Sequence, residues 1–286
     1  MIREPIVAGQ FYPDSFDALD KQINGNFISK LGPGELPVHK RINNVIGIVS
    51  PHAGYTFSGA CAAWGFKEIA KSKFPDLFVV LGLSHTGFNS CVTSQDFKTP
   101  FGVVKADKEF VKALTENSEL VEDDEAHNQE HSIEAQVPFL QFANKDRLKE
   151  LRIAPIIVSY DMDYKEIANA IMKSIGNRKV CVVASSDFTH YGESYGYKPF
   201  SSDVKENLYK LDKGAIDFIL KMDAKGFLDY TDEKEATICG KHPIAVAIEL
   251  CKLLGAKKGK LLKYYTSGDV IDDYSSAVGY GSVAFV

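Results

Sequence analysis

The chain has 286 residues, 45% hydrophobic and 25% charged, the proportions of an ordinary globular protein and not of a disordered, collagenous or coiled-coil one. Its net charge of −5 lacks the basic excess that phosphate neutralisation needs, which argues against a nucleic-acid binder. Five cysteines form no C-x-x-C pair, so disulfides are not expected and a cytoplasmic, reducing setting is.

In chain order, the opening segment Met1–Gln10 carries an early acidic residue, Glu4, and no apolar run, unlike a secretory signal. Ser29–Arg41, with Gly32, Pro33, Gly34 and Pro37, predicts a surface loop. Val45–Ser50 is a short β-branched strand candidate, and the spacing of Cys61, Trp64, Ile69 and Ala70 predicts a helix over 57–71. Leu77–Leu83 is an uninterrupted apolar run, as suits a strand buried on both faces, and it is far too short to cross a bilayer. Helices are expected over 108–114, 132–142, 164–175, 204–222 and 242–254, with Pro243 suited to a first turn. Strands are expected over 153–158 and 180–184; Tyr191–Ser202 reads as loop. The segments 261–265 and 277–286 alternate in period two, like edge or antiparallel strands. This alternation predicts one α/β domain over 1–286, a mostly buried mixed sheet flanked by helices.

Polar residues mark where chemistry would sit. The run 45–50 leads into His52, the run 77–83 into His85, and the run 180–184 into Asp187 and His190. In open α/β sheets ligands bind outside the carboxyl ends of the strands, so three imidazoles at three strand ends converge if those strands are parallel neighbours. Imidazole is the commonest metal ligand and titrates near neutral pH. Cys239 is a fourth candidate: it precedes a helix and lies close to Lys241, a setting that favours a thiolate. Cys61, Cys181 and Cys251 fall on apolar faces and read as small buried hydrophobes, while Cys91 stays open. His127-Asn-Gln-Glu130-His131, with both histidines expected on one helical face, fits the H-x-x-E-H pattern of inverted zinc peptidases, but no downstream carboxylate ligand is identifiable. A helix face of Glu130, His131 and Glu134 lining the mouth of the pocket is the expected role. No glycine pattern of a nucleotide-binding loop occurs.

Six blocks carry a family resemblance: Arg3-Glu-Pro-Ile-Val-Ala-Gly-Gln-Phe-Tyr-Pro13, Pro51-His-Ala-Gly-Tyr-Thr-Phe-Ser-Gly59, Gly82-Leu-Ser-His85, Glu130-His-Ser-Ile-Glu134 with Pro138-Phe139, Ser185-Ser-Asp-Phe-Thr-His-Tyr-Gly192, and Cys239-Gly-Lys-His-Pro243. In that order they resemble the Memo family, also called AmmeMemoRadiSam system protein B. The family is similar in fold to class III non-haem iron extradiol dioxygenases. The resemblance implies His52 and His85 as metal ligands, Cys239 as a thiolate in place of the dioxygenases' carboxylate, and His190 as general acid/base with Asp187 fixing its tautomer or lining the pocket. It also implies iron or copper as cofactor, zinc being an alternative, because a thiolate is softer than a carboxylate. A metal-dependent redox protein acting on a small molecule is the first expectation. A non-catalytic module binding a peptide or partner in the same cleft, as the family's animal members bind phosphotyrosine peptides, is the second; a metal-dependent hydrolase is the third. Neither a nucleic-acid nor a membrane partner is expected, and the oligomeric state is open.

Overall fold

The apolar runs become neighbouring strands. In the computed structural model, which describes residues 1–286, five strands lie parallel in the order Gly47–Ser50, Val180–Ser185, Leu77–Gly82, Arg152–Ile157 and Gly102–Ala106. The pleat divides each run between two cores. Val79, Leu81, Val182 and Ala184 face a cluster under the helices Tyr164–Ile175, Val204–Leu220 and Lys241–Leu253. Phe78, Val80, Cys181 and Val183 face the helices Phe16–Ile28, Tyr55–Lys71 and Val137–Ala143. A strand buried on both sides cannot alternate polar with apolar, which is why these runs are continuous. The result is a single α/β domain with a large mixed sheet between helices.

The two tail segments pair antiparallel to one another, as Gly259–Thr266 and Ser276–Phe285. Only the first lies at an edge. Ser276–Phe285 also pairs with Gly47–Ser50 and, at its start, with His190–Gly192, so it is interior. Its period-two character comes from small residues that admit a neighbour: a Cβ on Gly281 would stand 2.3 Å from the Phe188 ring. Short strands at Ile2–Arg3, Cys91–Val92 and Asp96–Thr99 extend the far side of the sheet.

The expected helix over 132–142 forms only in part. A 3₁₀ turn occupies Glu134–Gln136 and the α-helix begins at Val137 with Pro138 in its first turn. The preceding residues are held open because the Glu130 carboxylate accepts the backbone N–H of His131 (2.8 Å) and of Ser132 (2.7 Å), a local alternative to helical bonding. The helices Phe16–Ile28 and Ala224–Glu233 were not anticipated. The first buries Leu19, Ile23 and Phe27 at fourfold spacing and leaves its end residues Phe16 and Ile28 exposed. No helix is long and apolar enough to cross a membrane.

Candidate metal centre

Leu77–Gly82, Val180–Ser185 and Gly47–Ser50 are adjacent and parallel, so the residues following them meet at one end of the sheet. A cleft of about 380 Å³ opens there, with His52, His85, His131, Asp187 and His190 on its walls. The remaining wall is largely apolar, from Phe11, Phe57, Tyr195, Ile271, Val278 and Tyr280. Gly82 lets the Ser132–Ile133 segment pass close by: a Cβ there would fall 2.5 Å from Ile133.

Each strand-end histidine is anchored through Nδ1. The Ser185 hydroxyl gives its one proton to the Ser132 carbonyl (2.7 Å) and accepts from Gln136 Nε2 (2.8 Å). His52 Nδ1, 3.0 Å from that oxygen, must therefore be the donor. Burial holds the His52 imidazolium down to about 4 despite the nearby Asp187, so at neutral pH the ring is neutral with a bare Nε2. His85 Nδ1 donates to Glu130 (2.9 Å), and His190 Nδ1 donates to the Thr237 carbonyl (3.1 Å). In all three, Nδ1 is the anchored nitrogen and Nε2 is left without a protein partner, save for the Cys239 thiol beside His52, the arrangement typical of metal-ligating or proton-accepting imidazoles.

Donor atoms fall into two sets. Those of His52, His85 and His131 lie within 4.8 Å of one another, and so do those of His52, Asp187 and Cys239. His52 belongs to both; His85 and Cys239 share no set. The Cys239 sulfur is 3.5 Å from His52 Nε2. Its segment is fixed by the Thr189–Ile238 bridge and by the Gly240 N–H donating to Ser186 Oγ (3.0 Å).

Four expectations need correction. Lys241 does not favour a Cys239 thiolate, because it pairs with Asp232 at 2.6 Å, and burial and Asp187 push the Cys239 thiol up. A cation would have to displace that proton. Asp187 lines the cleft but does not set the His190 tautomer: its Oδ1 accepts the backbone N–H of His52 (2.9 Å) and Ala53 (3.3 Å), and Thr237 holds His190. Glu130 and Glu134 stand behind the wall and not on it. Burial opposes ionisation of Glu130, yet the His85 ring and the backbone N–H groups of His85 and Ser132 outweigh it and bring its carboxyl down to about 2. Glu134 is fully buried against Arg3 (2.7 Å) and accepts from the backbone of Ile6 and Val7 and from the Tyr12 hydroxyl. Finally, His127 and His131 do not share a helical face. The helix Asp124–Asn128 ends between them, and His127 is buried outside both donor sets.

Sequence reasoning gives no role to Ser185, Gln136, Thr237 or Arg3, although Arg3 and Ser185 each open one of the family blocks. Ser185 had a signal, since it ends a buried strand two residues before Asp187; the other three become visible only through their partners.

The profile of the family described as Memo-like protein matches residues 3–284. The chain is 40% identical to a MEMO1 family protein of Nitrosopumilus maritimus, with all of both chains covered. It is 39% identical to one of Methanopyrus kandleri, covering 100% of this chain and 99% of that one. A MEMO1 family protein of Pyrococcus furiosus is 38% identical, with 99% and 98% covered. A match that runs from the Arg3 anchor to the last strand takes in every residue of the cleft, and on it the chain belongs to the Memo-like family.

Proposed function

We propose that this protein is a metal-dependent redox protein acting on a small molecule in the strand-end cleft, with His52, His85 and Cys239 as ligands to iron or copper. The observation that carries this is the anchoring of His52 and His85 through Nδ1, which turns Nε2 of each ring toward the cleft, that of His52 standing 3.5 Å from the Cys239 sulfur. Neutral imidazoles with a thiolate suit copper, iron or zinc and leave positions open for a reactant. A bound iron or copper would supply one-electron chemistry and a Lewis acid.

The protein's own residues supply the rest. His190, with Nδ1 committed to Thr237, has Nε2 available to take a proton from a substrate group in the cleft. Asp187 holds the His52–Ala53 backbone in place. The apolar wall and a volume of about 380 Å³ suit a small organic molecule better than a long peptide. The kinship with class III extradiol dioxygenases belongs to this proposal, and it is the reason to include catechols among trial substrates. All five cysteines are free, in keeping with a reducing compartment.

The test is anaerobic titration of the full chain with Fe(II), Cu(I) and Zn(II), followed by oxygen-consumption assays with catechols and small reductants. Cys239→Ser should weaken copper binding far more than Cys61→Ser, Cys181→Ser or Cys251→Ser. His190→Ala should keep its metal and lose most turnover, since positioned proton transfer contributes on the order of 10²–10⁴-fold. Equal losses across the four cysteine variants would mean adventitious thiol binding and end the assignment.

A further inference from the structure

His131 is the residue of the cleft whose placement the two-histidine, one-cysteine assignment leaves unexplained. Its ring makes no hydrogen bond within the protein; the nearest acceptor, Glu130 Oε1, is 3.6 Å from Nδ1. Yet it is held firmly. Its backbone N–H is bound by Glu130 (2.8 Å), Phe11 packs edge-on against the ring at 4.9 Å, and the ring stacks on His85 at 4.5 Å. His52 stands nearly perpendicular to both, with ring centres 5.3 Å from His85 and 5.6 Å from His131. Three imidazoles thus gather their nitrogens within 4.8 Å, and the central one, His52, is only 2% exposed. Its unprotonated Nε2 is an acceptor, and no hydrogen bond joins any two of the three rings.

Three imidazoles whose ring nitrogens converge without bonding one another offer a cation three donors. We propose that His131 is itself a metal ligand: His52, His85 and His131 form a three-histidine seat for a borderline divalent cation, and Cys239 is the donor that a soft cation adds. This rests on the metal-site reading above, keeps its ligands for copper and replaces Cys239 by His131 for a divalent cation such as Fe(II), so that the choice of cation decides which wall of the cleft is used. Imidazole serves Zn(II), Co(II) and Fe(II) well, and three imidazoles with an open position are a recurrent reactive site. A thiolate is preferred by Cu(I). His52 is common to both sets, so the two cations compete for it.

The experiment uses the full-length protein, its His131→Ala, His131→Gln, Cys239→Ser and His52→Ala variants, and two probes, Co(II) and chelator-buffered Cu(I). Affinity and the cobalt absorption spectrum are read, with thermal melting to establish that each variant is folded; His131→Gln keeps much of the ring's bulk against Phe11. Both His131 variants should bind Co(II) more than about 100-fold more weakly, beyond the 10–100-fold typical of losing an outer partner, with little change for Cu(I). Cys239→Ser should do the reverse, and cobalt in the wild type should show no intense thiolate charge-transfer band. Co(II) affinity within about threefold of wild type in both His131 variants overturns the proposal. So does loss of Co(II) from Cys239→Ser as complete as from His131→Ala. If wild type binds neither probe better than His52→Ala, the metal-site reading itself falls; a silent His131 alone leaves that reading standing.

Discussion

Two parts of the cleft wall each position a histidine with a buried carboxylate behind it, and they do so with different chemistry. Behind His85, Glu130 accepts N–H groups from the His85 ring and from the backbone of His85, His131 and Ser132. Next to it Glu134 meets the Arg3 guanidinium, which also donates to the carbonyls of His127 and Glu130 (2.7 Å each). Behind His190, fully buried Asp212 receives the hydroxyls of Thr189 and Tyr264 and one backbone N–H, with no cation near. Burial pushes Asp212 up to about 6 against those bonds, whereas Glu130 is carried down to about 2. The difference shows what a buried carboxylate needs to stay ionised: several N–H donors or a positive partner, since two hydroxyls and a single N–H do not repay desolvation. The His85 wall is therefore built for a fixed charge and the His190 wall for a proton-sensitive one.

The sharpest way to break the first wall is Glu134→Ala. It leaves Arg3 buried and unpaired and strips the acceptor from Ile6, Val7 and Tyr12, and should cost about 3–5 kcal/mol in denaturant unfolding. A loss below about 1 kcal/mol would show that the N-terminal segment is not anchored as described. Glu130→Gln comes next. It removes the charge that orients His85 and should weaken metal binding by about 10–100-fold while His190→Ala leaves it intact, a contrast that calorimetric titration would settle.

The two carboxylates should also respond oppositely to pH. Glu130, lowered in the folded chain, contributes stability above its ordinary value of 4.5 that is lost as pH falls toward 2. Asp212, raised, contributes stability that is complete below its ordinary value of 3.8 and is lost as pH rises through about 6. Asp212→Asn should therefore flatten the stability profile between about pH 4 and 7, and an unchanged slope over that range would contradict it. The smallest effect is expected at Lys241→Ala. Its pair with Asp232 is solvent-accessible and worth at most about 1 kcal/mol, and because that carboxylate engages the Lys241 ammonium the alkylation rate of the Cys239 thiol should hardly move. A marked slowing would restore the lysine as an activating group.

Much of the fold was legible because a buried strand and an amphipathic helix each leave a period in the chain. The runs at 45–50, 77–83 and 180–184 and the helices over 164–175 and 204–220 are where apolar spacing puts them. The helix Phe16–Ile28 leaves a weaker signal, because only Leu19, Ile23 and Phe27 are buried while Phe16 and Ile28 are apolar but exposed. The start of the helix expected from 132 was misjudged because Glu130 takes the backbone donors a helix would have used.

By itself the sequence determined that His52, His85 and His190 follow buried strands and that Cys239 precedes a helix, since residue order fixes which side chains stand at strand ends. Only the tertiary structure decided which strands are neighbours, and hence that His52 sits between a histidine set and a cysteine set. It also decided which way each carboxylate points: Asp187 to the His52 backbone, Glu134 to Arg3, Asp212 to Thr189. A side chain's charge state depends on donors brought from more than a hundred residues away, as Arg3 is to Glu134, and no local pattern records them.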